Sequence, residues 1–450
     1  SRQMQSLTVV RDFCRRLPSG AAVWTGIFGV RRSSKKPEQK AHQPNCDHGL
    51  RKQWISPNPK PEATLPILLA TTVHFVIRAF TSFFILLSST LQNTEMDANT
   101  DFRIIATAED AILAKHATAQ AKYYRDPFVE AFAHAANLRQ HEKQRHFQPI
   151  IKRGTHARVC CMDRAITAFL KANMASPHGC EIVVLGAGKD TSYFRFFAKS
   201  LMGMEDFIKE RNSTLPSVHW YEVDHPSVIQ EKANVIQSSP ILSQCCPNFK
   251  PTNIGFSSTQ YHLIAADLRD PPQQLLKRLA LNAKRPTLFL LECVFMYLPN
   301  QATEVLLAEL ALSKKEKAWI VMYEPILGSD AFGNMMQQNL VQAKVATDDC
   351  CLLQTRSLSA QLQKLVRAGF STRAVGCDMW AAYQSIVTPE QRQLANRAEF
   401  LDEMEEWMMI MRHYCFVIAT TAKNDRLTEI GPQSMIGFLQ DKCEVLETNS

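Results

Sequence analysis

Ile182-Val-Val-Leu185-Gly186-Ala-Gly188 opens a series that decides the fold. Downstream come Trp220-Tyr-Glu-Val223-Asp224, Leu263-Ile-Ala-Ala266-Asp267, Leu288-Phe-Leu-Leu291-Glu292 and Trp319-Ile-Val-Met-Tyr323-Glu324. Each of the five is a short apolar run that stops at a glycine or an acid, and successive runs start 25–43 residues apart. Near-continuous apolar runs at that spacing are how buried parallel strands joined by crossover helices read. Parallel strands bring their C-terminal ends to one edge, where open α/β sheets bind ligands. The glycines and the four acids are therefore expected to converge on one crevice, a nucleotide-type cofactor site.

Working outward, Ala106–Ala121 reads as a helix opened by Thr107, followed by helices near Phe128–Gln144 and Thr155–Met174, all before the first strand. The spacing predicts further helices over Thr191–Met202, Phe332–Val345 and Leu358–Arg367, the last capped by Ser357 and ended by Gly369. Ser371–Cys377 and Tyr414–Thr421 read as an antiparallel strand pair bracketing the acidic amphipathic run Glu399–Met411. The fold class is α/β, a mostly parallel doubly wound sheet with an antiparallel C-terminal pair and an added helical lid. No internal repeat is visible.

Charge divides the chain. Its 450 residues carry a formal +8, and residues 1–95 alone, with 13 Lys/Arg and 5 Asp/Glu, account for all of it. The body is neutral, so a general phosphate-binding surface is excluded and no nucleic-acid partner is expected. The 13 cysteines include three adjacent pairs and no Cys-x-x-Cys. Without ligand spacing no metal site is expected, and most thiols read as small buried hydrophobes in a reducing compartment, which points to the cytoplasm.

Residues 1–95 form a separate extension. Residues 31–62 are basic, proline-dotted and read as disordered, whereas 65–91 are apolar over a length that could span a bilayer. Arg78 at the centre of that segment costs about 2.5–3.5 kcal/mol on insertion. Three readings stay open: translated upstream sequence ahead of Met96, a membrane anchor or interfacial helix through 65–91, and an unrelated extension. The working domain is expected over 96–425, with 426–450 as a tail.

At the sheet edge, Gly186-x-Gly188 lets backbone N–H groups approach a ligand closely. A third glycine is missing, and Asp224 lies 36 residues beyond Gly188. A dinucleotide fingerprint expects about 20. The remaining strand–glycine–acid pattern suits a ribose diol without a pyrophosphate. Asp267-Leu268 offers an acceptor and an apolar wall for an adenine, and Glu292 could accept from a ligand ammonium. Lys115 and Arg158, both on helices before the first strand, could meet a carboxylate, the arginine bidentately.

Several segments carry a family resemblance. Asp110-Ala-Ile-Leu-Ala-Lys115, Arg153-Gly-Thr-His-Ala-Arg158-Val and Leu185-Gly-Ala-Gly-Lys-Asp-Thr191 come first. Glu222-Val-Asp-His-Pro226, Ala265-Ala-Asp-Leu-Arg-Asp270, Pro286-Thr-Leu-Phe-Leu-Leu-Glu-Cys-Val294 and Met411-Arg-His-Tyr-Cys415 follow. Together they resemble the leucine carboxyl methyltransferases from about 107 to 423. The resemblance implies a Rossmann-like class I S-adenosylmethionine-dependent methyltransferase that esterifies the C-terminal leucine of the protein phosphatase 2A catalytic subunit, acting as a monomer. By position it implies that Arg158 holds the cofactor carboxylate with Lys115 nearby, while Gly186 and Gly188 lie against the methionyl part. Asp224 would take the ribose, Asp267 and Leu268 the adenine, and Glu292 the amino group. Tyr297 and Arg158 are the candidate catalytic residues that orient the incoming carboxylate, with Phe332, Met335 and Met336 as candidates for a leucine slot. Lys189, where an apolar residue is expected, and His116 beside Lys115 depart from the pattern. Alternatives are a carboxyl methyltransferase acting on a small molecule or a modified tRNA base, and a non-catalytic cofactor-binding module.

Overall fold

Ten strands form a single sheet in the order β10-β8-β9-β7-β6-β1-β2-β5-β4-β3. The computed structural model describes residues 100–140, 147–197, 217–314, 317–343, 348–422 and 444–446. All of these fall within one unit spanning 79–450. Expectations for residues 1–95, including the apolar segment 65–91, lie outside the described residues, as does most of 426–450. Among the described residues no helix is long and apolar enough to cross a membrane.

The five apolar runs are the parallel centre. They form β1 (Cys180–Leu185), β2 (Val218–Asp224), β5 (Tyr261–Ala265), β6 (Thr287–Glu292) and β7 (Ala318–Pro325). Leu185 is in register with Val223 on one side and Leu291 on the other. Asp224 and Glu292 each stand one step beyond those partners, so they flank the Gly186 turn by strand register alone. The chain winds outward from β1 in both directions, and the crevice lies where those directions part.

β8 (Arg373–Asp378) and β9 (Tyr414–Thr420) are the expected antiparallel pair, with β9 lying between β7 and β8. The hairpin of β3 (Lys250–Thr252) and β4 (Gly255–Ser257) and the edge strand β10 (Glu444–Leu446) carry too few residues for a periodicity to show.

Helices frame the sheet in chain order: α1 (Thr100–Gln120), α2 (Val129–Gln140), α3 (Pro149–Ala172), α4 (Ser192–Phe197) and α5 (Pro226–Ser238). They continue as α6 (Pro272–Leu279), α7 (Asn300–Ser313), α8 (Ala331–Gln342), α9 (Leu358–Arg367), α10 (Met379–Ser385), α11 (Pro389–Ala398) and α12 (Met404–Met411). Leu306, Leu307 and Leu310 of α7 and Leu362 and Leu365 of α9 pack with Val183, Leu185, Phe289, Leu291 and Ile320 in one core. On the other face, Phe169 of α3 meets Trp319 edge-on at 5.7 Å.

Some boundaries differ from expectation. Thr107 does not cap α1, which begins at Thr100, because residues 100–106 contain no breaker. Helix α3 starts earlier, with Pro149 at its first position, where a missing N–H costs nothing. Asp126 accepts from the N–H groups of Phe128 and Val129, at 3.0 and 3.1 Å, and so starts α2. The run read as one stretch from Glu399 holds only α12, since residues 399–403 are not helical. Ser357 caps α9 as expected, accepting from Ala360 N–H.

Candidate active site

Two glycines shape the floor. Gly186 has φ +63° and Gly188 φ +53°, a region that L side chains enter only at a cost. A Cβ on Gly186 would lie 2.7 Å from a Val294 methyl. The loop after β1 and the turn after β6 are therefore in direct contact. Gly188 N–H donates to Asp224 Oδ2 at 2.6 Å, and His225 N–H donates to Oδ1 at 2.6 Å. Burial pushes the Asp224 carboxyl up, and these two amides pull it back. Each oxygen keeps a lone pair for a hydroxyl.

The far end of the crevice is ionic. Arg158 of α3 donates through Nε to Glu292 Oε1. Lys115 of α1 reaches Glu292 Oε1 at 3.2 Å and Asp190 Oδ1 at 2.9 Å. Burial would raise the Glu292 carboxyl, but Arg158 and Lys115 outweigh it and hold the group below its ordinary value. Burial likewise opposes the Lys115 ammonium, and Asp190 and Glu292 overcome it, raising its pKa. The result is two fixed cations against two fixed anions. Asp190 also receives Ser192 N–H at 2.9 Å, which anchors it at the head of α4. The Arg158 guanidinium lies 5.0 Å from the Tyr323 ring centroid, and Tyr323 stacks on Tyr414 at 5.2 Å.

A cavity of about 300 Å³ joins these groups. Its lining contains Lys115, Arg158, Gly186, Gly188, Asp224, Asp267, Leu268, Glu292 and Tyr297, the nine residues singled out from sequence. At one end Asp267 is already engaged. Arg269 donates to it from the backbone and from Nε, both at 2.9 Å to Oδ1. That hydrogen bonding holds the Asp267 carboxyl low. Ile150, Ile151, Met336, Leu340, Ile410 and Met411 add an apolar wall to the lining.

Not every expectation converges there. Of the four acids that end β-strands, Glu324 is withdrawn from the cavity: it is 1% exposed and accepts from Val294, Phe295 and Met296 N–H. Asp190 takes its place in the lining, a residue to which the sequence reading gave no role. Phe332 is also outside the lining, packed on His413 with centroids 4.4 Å apart, and of the three slot candidates only Met336 lines the cavity. Lys189 is buried and pairs with Glu109 of α1 at 3.4 Å and Glu231 of α5 at 3.2 Å. It ties the lid helix to the sheet. Arg153 donates to Asn396, to Ala395 O and to Glu399 O, so the first arginine of Arg153-Gly-Thr-His-Ala-Arg158 anchors α11 while the second faces the cavity. Among the described residues no cluster of His, Cys, Asp and Glu could hold a metal ion.

Comparison with known proteins bears on this geometry. Residues 104–311 match the family model for leucine carboxyl methyltransferase. The rat protein leucine carboxyl methyltransferase 1 is 31% identical over 71% of this chain and 90% of its own length. This chain belongs to the leucine carboxyl methyltransferase family. An Arabidopsis thaliana homologue of leucine carboxyl methyltransferase 1 is 29% identical over 72% of this chain and 90% of that protein. A rat tRNA wybutosine-synthesizing protein 4 is 30% identical over 72% of this chain but 44% of its own length. As a member of the family, the chain is an S-adenosylmethionine-dependent methyltransferase with a class I, Rossmann-like fold.

Proposed function

We propose that the chain transfers a methyl group from S-adenosylmethionine to the α-carboxylate of a C-terminal leucine, and that its substrate is the protein phosphatase 2A catalytic subunit. The observation that carries the cofactor placement is the ionic quartet of Lys115, Arg158, Asp190 and Glu292 beside the Gly186 turn. Two cations and two anions in mutual contact complement an amino-acid zwitterion. A ligand carboxylate would engage Arg158 and Lys115, and a ligand ammonium would engage Glu292. Asp224 would take the ribose hydroxyls, and Leu268 with the backbone beside Asp267 would flank the base. The bound cofactor supplies a methyl group on a positively charged sulfur.

A C-terminal carboxyl titrates near 3.3–3.7, so at neutral pH it is already a nucleophile and needs no general base. Displacement on a cationic sulfur by an anion disperses charge, so strong donors on the carboxylate would slow it. The chain's work is orientation and exclusion of water, from which several kcal/mol are available. Tyr297, whose hydroxyl burial pushes up, stays protonated and can donate one bond to fix the carboxylate. The apolar wall of Met336, Leu340, Ile410 and Met411 suits the leucine side chain.

The protein substrate is favoured over a tRNA base because residues 96–450 carry no net charge and so offer no general phosphate-binding surface. The test is methyl incorporation from labelled S-adenosylmethionine into the phosphatase subunit, with a leucine-deleted subunit as control. Incorporation that survives removal of the leucine, or that appears only on tRNA, refutes the substrate.

A further inference from the structure

Glu324 is a buried acid at the end of a strand, within the same structural layer as the ionic quartet yet turned away from the cavity. Its Oε1 accepts from Val294 N–H at 2.8 Å and Phe295 N–H at 2.9 Å, and its Oε2 from Met296 N–H at 3.3 Å. Three successive amides of one turn thus converge on one carboxylate from the neighbouring strand. The Lys364 ammonium lies 5.3 Å from the Phe295 ring centroid, is 1% exposed, and acts electrostatically on the Glu324 carboxylate.

That turn carries the reacting end of the cavity. Glu292 closes β6 just before it, and Tyr297 ends the short helical turn Phe295–Tyr297. Between them Cys293 has φ +58° while its N–H donates to Tyr323 O at 2.8 Å. A left-handed non-glycine residue persists only where its surroundings over-determine it. Here the constraint is visible on three sides. Tyr323 O holds the Cys293 amide, Glu324 holds the next three, and the Val294 methyls press on the Gly186 turn. An acid so placed transmits the position of β7 to Glu292 and Tyr297 without touching the cavity.

We infer that Glu324 is a positioning residue for methyl transfer, acting through the Val294–Met296 turn to set the Glu292 carboxylate and the Tyr297 hydroxyl. Burial raises its carboxyl, and the three amides and Lys364 oppose that rise in part. The inference rests on the reading of the cavity as the methyl-transfer site.

Glu181 supplies the control. It is equally buried, pairs with Lys314, and sits at the opposite end of β1, away from the cavity. In the full chain, Glu324→Gln keeps the shape but replaces one acceptor oxygen by a donor, and Glu324→Asp keeps the charge but is one methylene short. Both are expected to lower kcat/KM by about 10²-fold, with the loss mainly in kcat for the carboxylate substrate, because misplacement on the ångström scale costs that much. Glu181→Gln is expected to lower Tm while leaving kcat and both KM values within about twofold. Wild-type kcat in a folded Glu324→Gln or Glu324→Asp chain overturns the inference. So does an equal loss of kcat in Glu181→Gln, which would make the effect one of general stability. A wild-type chain that transfers no methyl overturns the functional reading itself, which separates the two failures.

Discussion

The two ends of the parallel strands both bury an ionic cluster, and they use it differently. At the N-terminal end, Glu181 accepts from Lys314 Nζ at 2.7 Å, Thr287 Oγ1 at 3.0 Å and Asn282 N–H at 2.9 Å. Lys314 in turn donates to Asn282 O at 2.5 Å. That cluster is closed: the Glu181 and Lys314 side chains are each about 1% exposed, and neither lines the cavity at the other end. At the C-terminal end, Glu292, Arg158, Lys115 and Asp190 are drawn from β6, α3, α1 and the loop after β1, and all four line a cavity. Similar chemistry serves stability where it is sealed and recognition where it borders open space. Positive φ angles occur at both ends: Gly186, Gly188 and Cys293 beside the cavity, and Gly179 and Ala280 beside the closed cluster.

The largest effects that would break this contrast are at the open end. Arg158→Ala and Asp224→Ala are each expected to abolish measurable cofactor binding in calorimetry while the chain stays folded. Retained affinity in both would remove the site. At the closed end, Glu181→Gln or Lys314→Met leaves a buried charge unpaired and should cost about 3–5 kcal/mol in urea unfolding. The cofactor affinity of the remaining folded protein should not change. A loss of affinity there would show that the two ends are coupled rather than separate.

Acid should weaken both ends by another route. His156 on α3 and His262 on β5 are held neutral, their pKa values lowered to about 4, chiefly by burial. In the unfolded chain each takes a proton near 6.5. Between pH 6.5 and 4 the unfolded state therefore binds more protons, so stability falls as the pH drops through that window. For His156 alone the loss is up to about 3 kcal/mol. Unfolding free energies measured at pH 7.5 and 5 should differ, and His156→Phe should flatten the difference. An unchanged slope would show that His156 does not titrate as its burial implies.

The smallest expected effect is at the base end of the cavity. Arg269 already occupies the Asp267 oxygens, so Asp267→Asn removes an acceptor that is largely engaged and should weaken cofactor binding only several-fold, by about 1 kcal/mol. A loss as large as that of Asp224→Ala would mean that the Asp267 carboxylate, and not the adjoining backbone and Leu268, meets the base.

Much of this was legible in the sequence because strands announce themselves by composition and end abruptly. The five runs named their own C-terminal residues, and strand register alone brings Asp224 and Glu292 to either side of Gly186. Lys115 and Arg158 required more than periodicity, since a cation on a helix face reads as solvent-facing until the helix is packed. The family resemblance singled them out. Glu324 could not be told from Glu292 by sequence, because both end apolar strands. What separates them is the Val294–Met296 turn, whose free amides take one acid and leave the other to the cavity. Asp190 drew no attention because it ends no strand: it sits in the loop after β1, one residue before Thr191, where a dinucleotide fingerprint would carry its third glycine. Short strands β3, β4 and β10 owe their existence to pairing with longer neighbours, and three residues carry no pattern of their own.

The central claim is that the open ionic cluster receives an amino-acid zwitterion. It is tested most directly by titrating the chain with S-adenosylhomocysteine and with 5′-methylthioadenosine, which keeps the nucleoside and lacks the amino-acid group. The account predicts that the second ligand binds at least about 100-fold more weakly, a difference of roughly 3 kcal/mol, and that Arg158→Ala costs the first ligand far more affinity than the second. Equal affinity for the two ligands would contradict it.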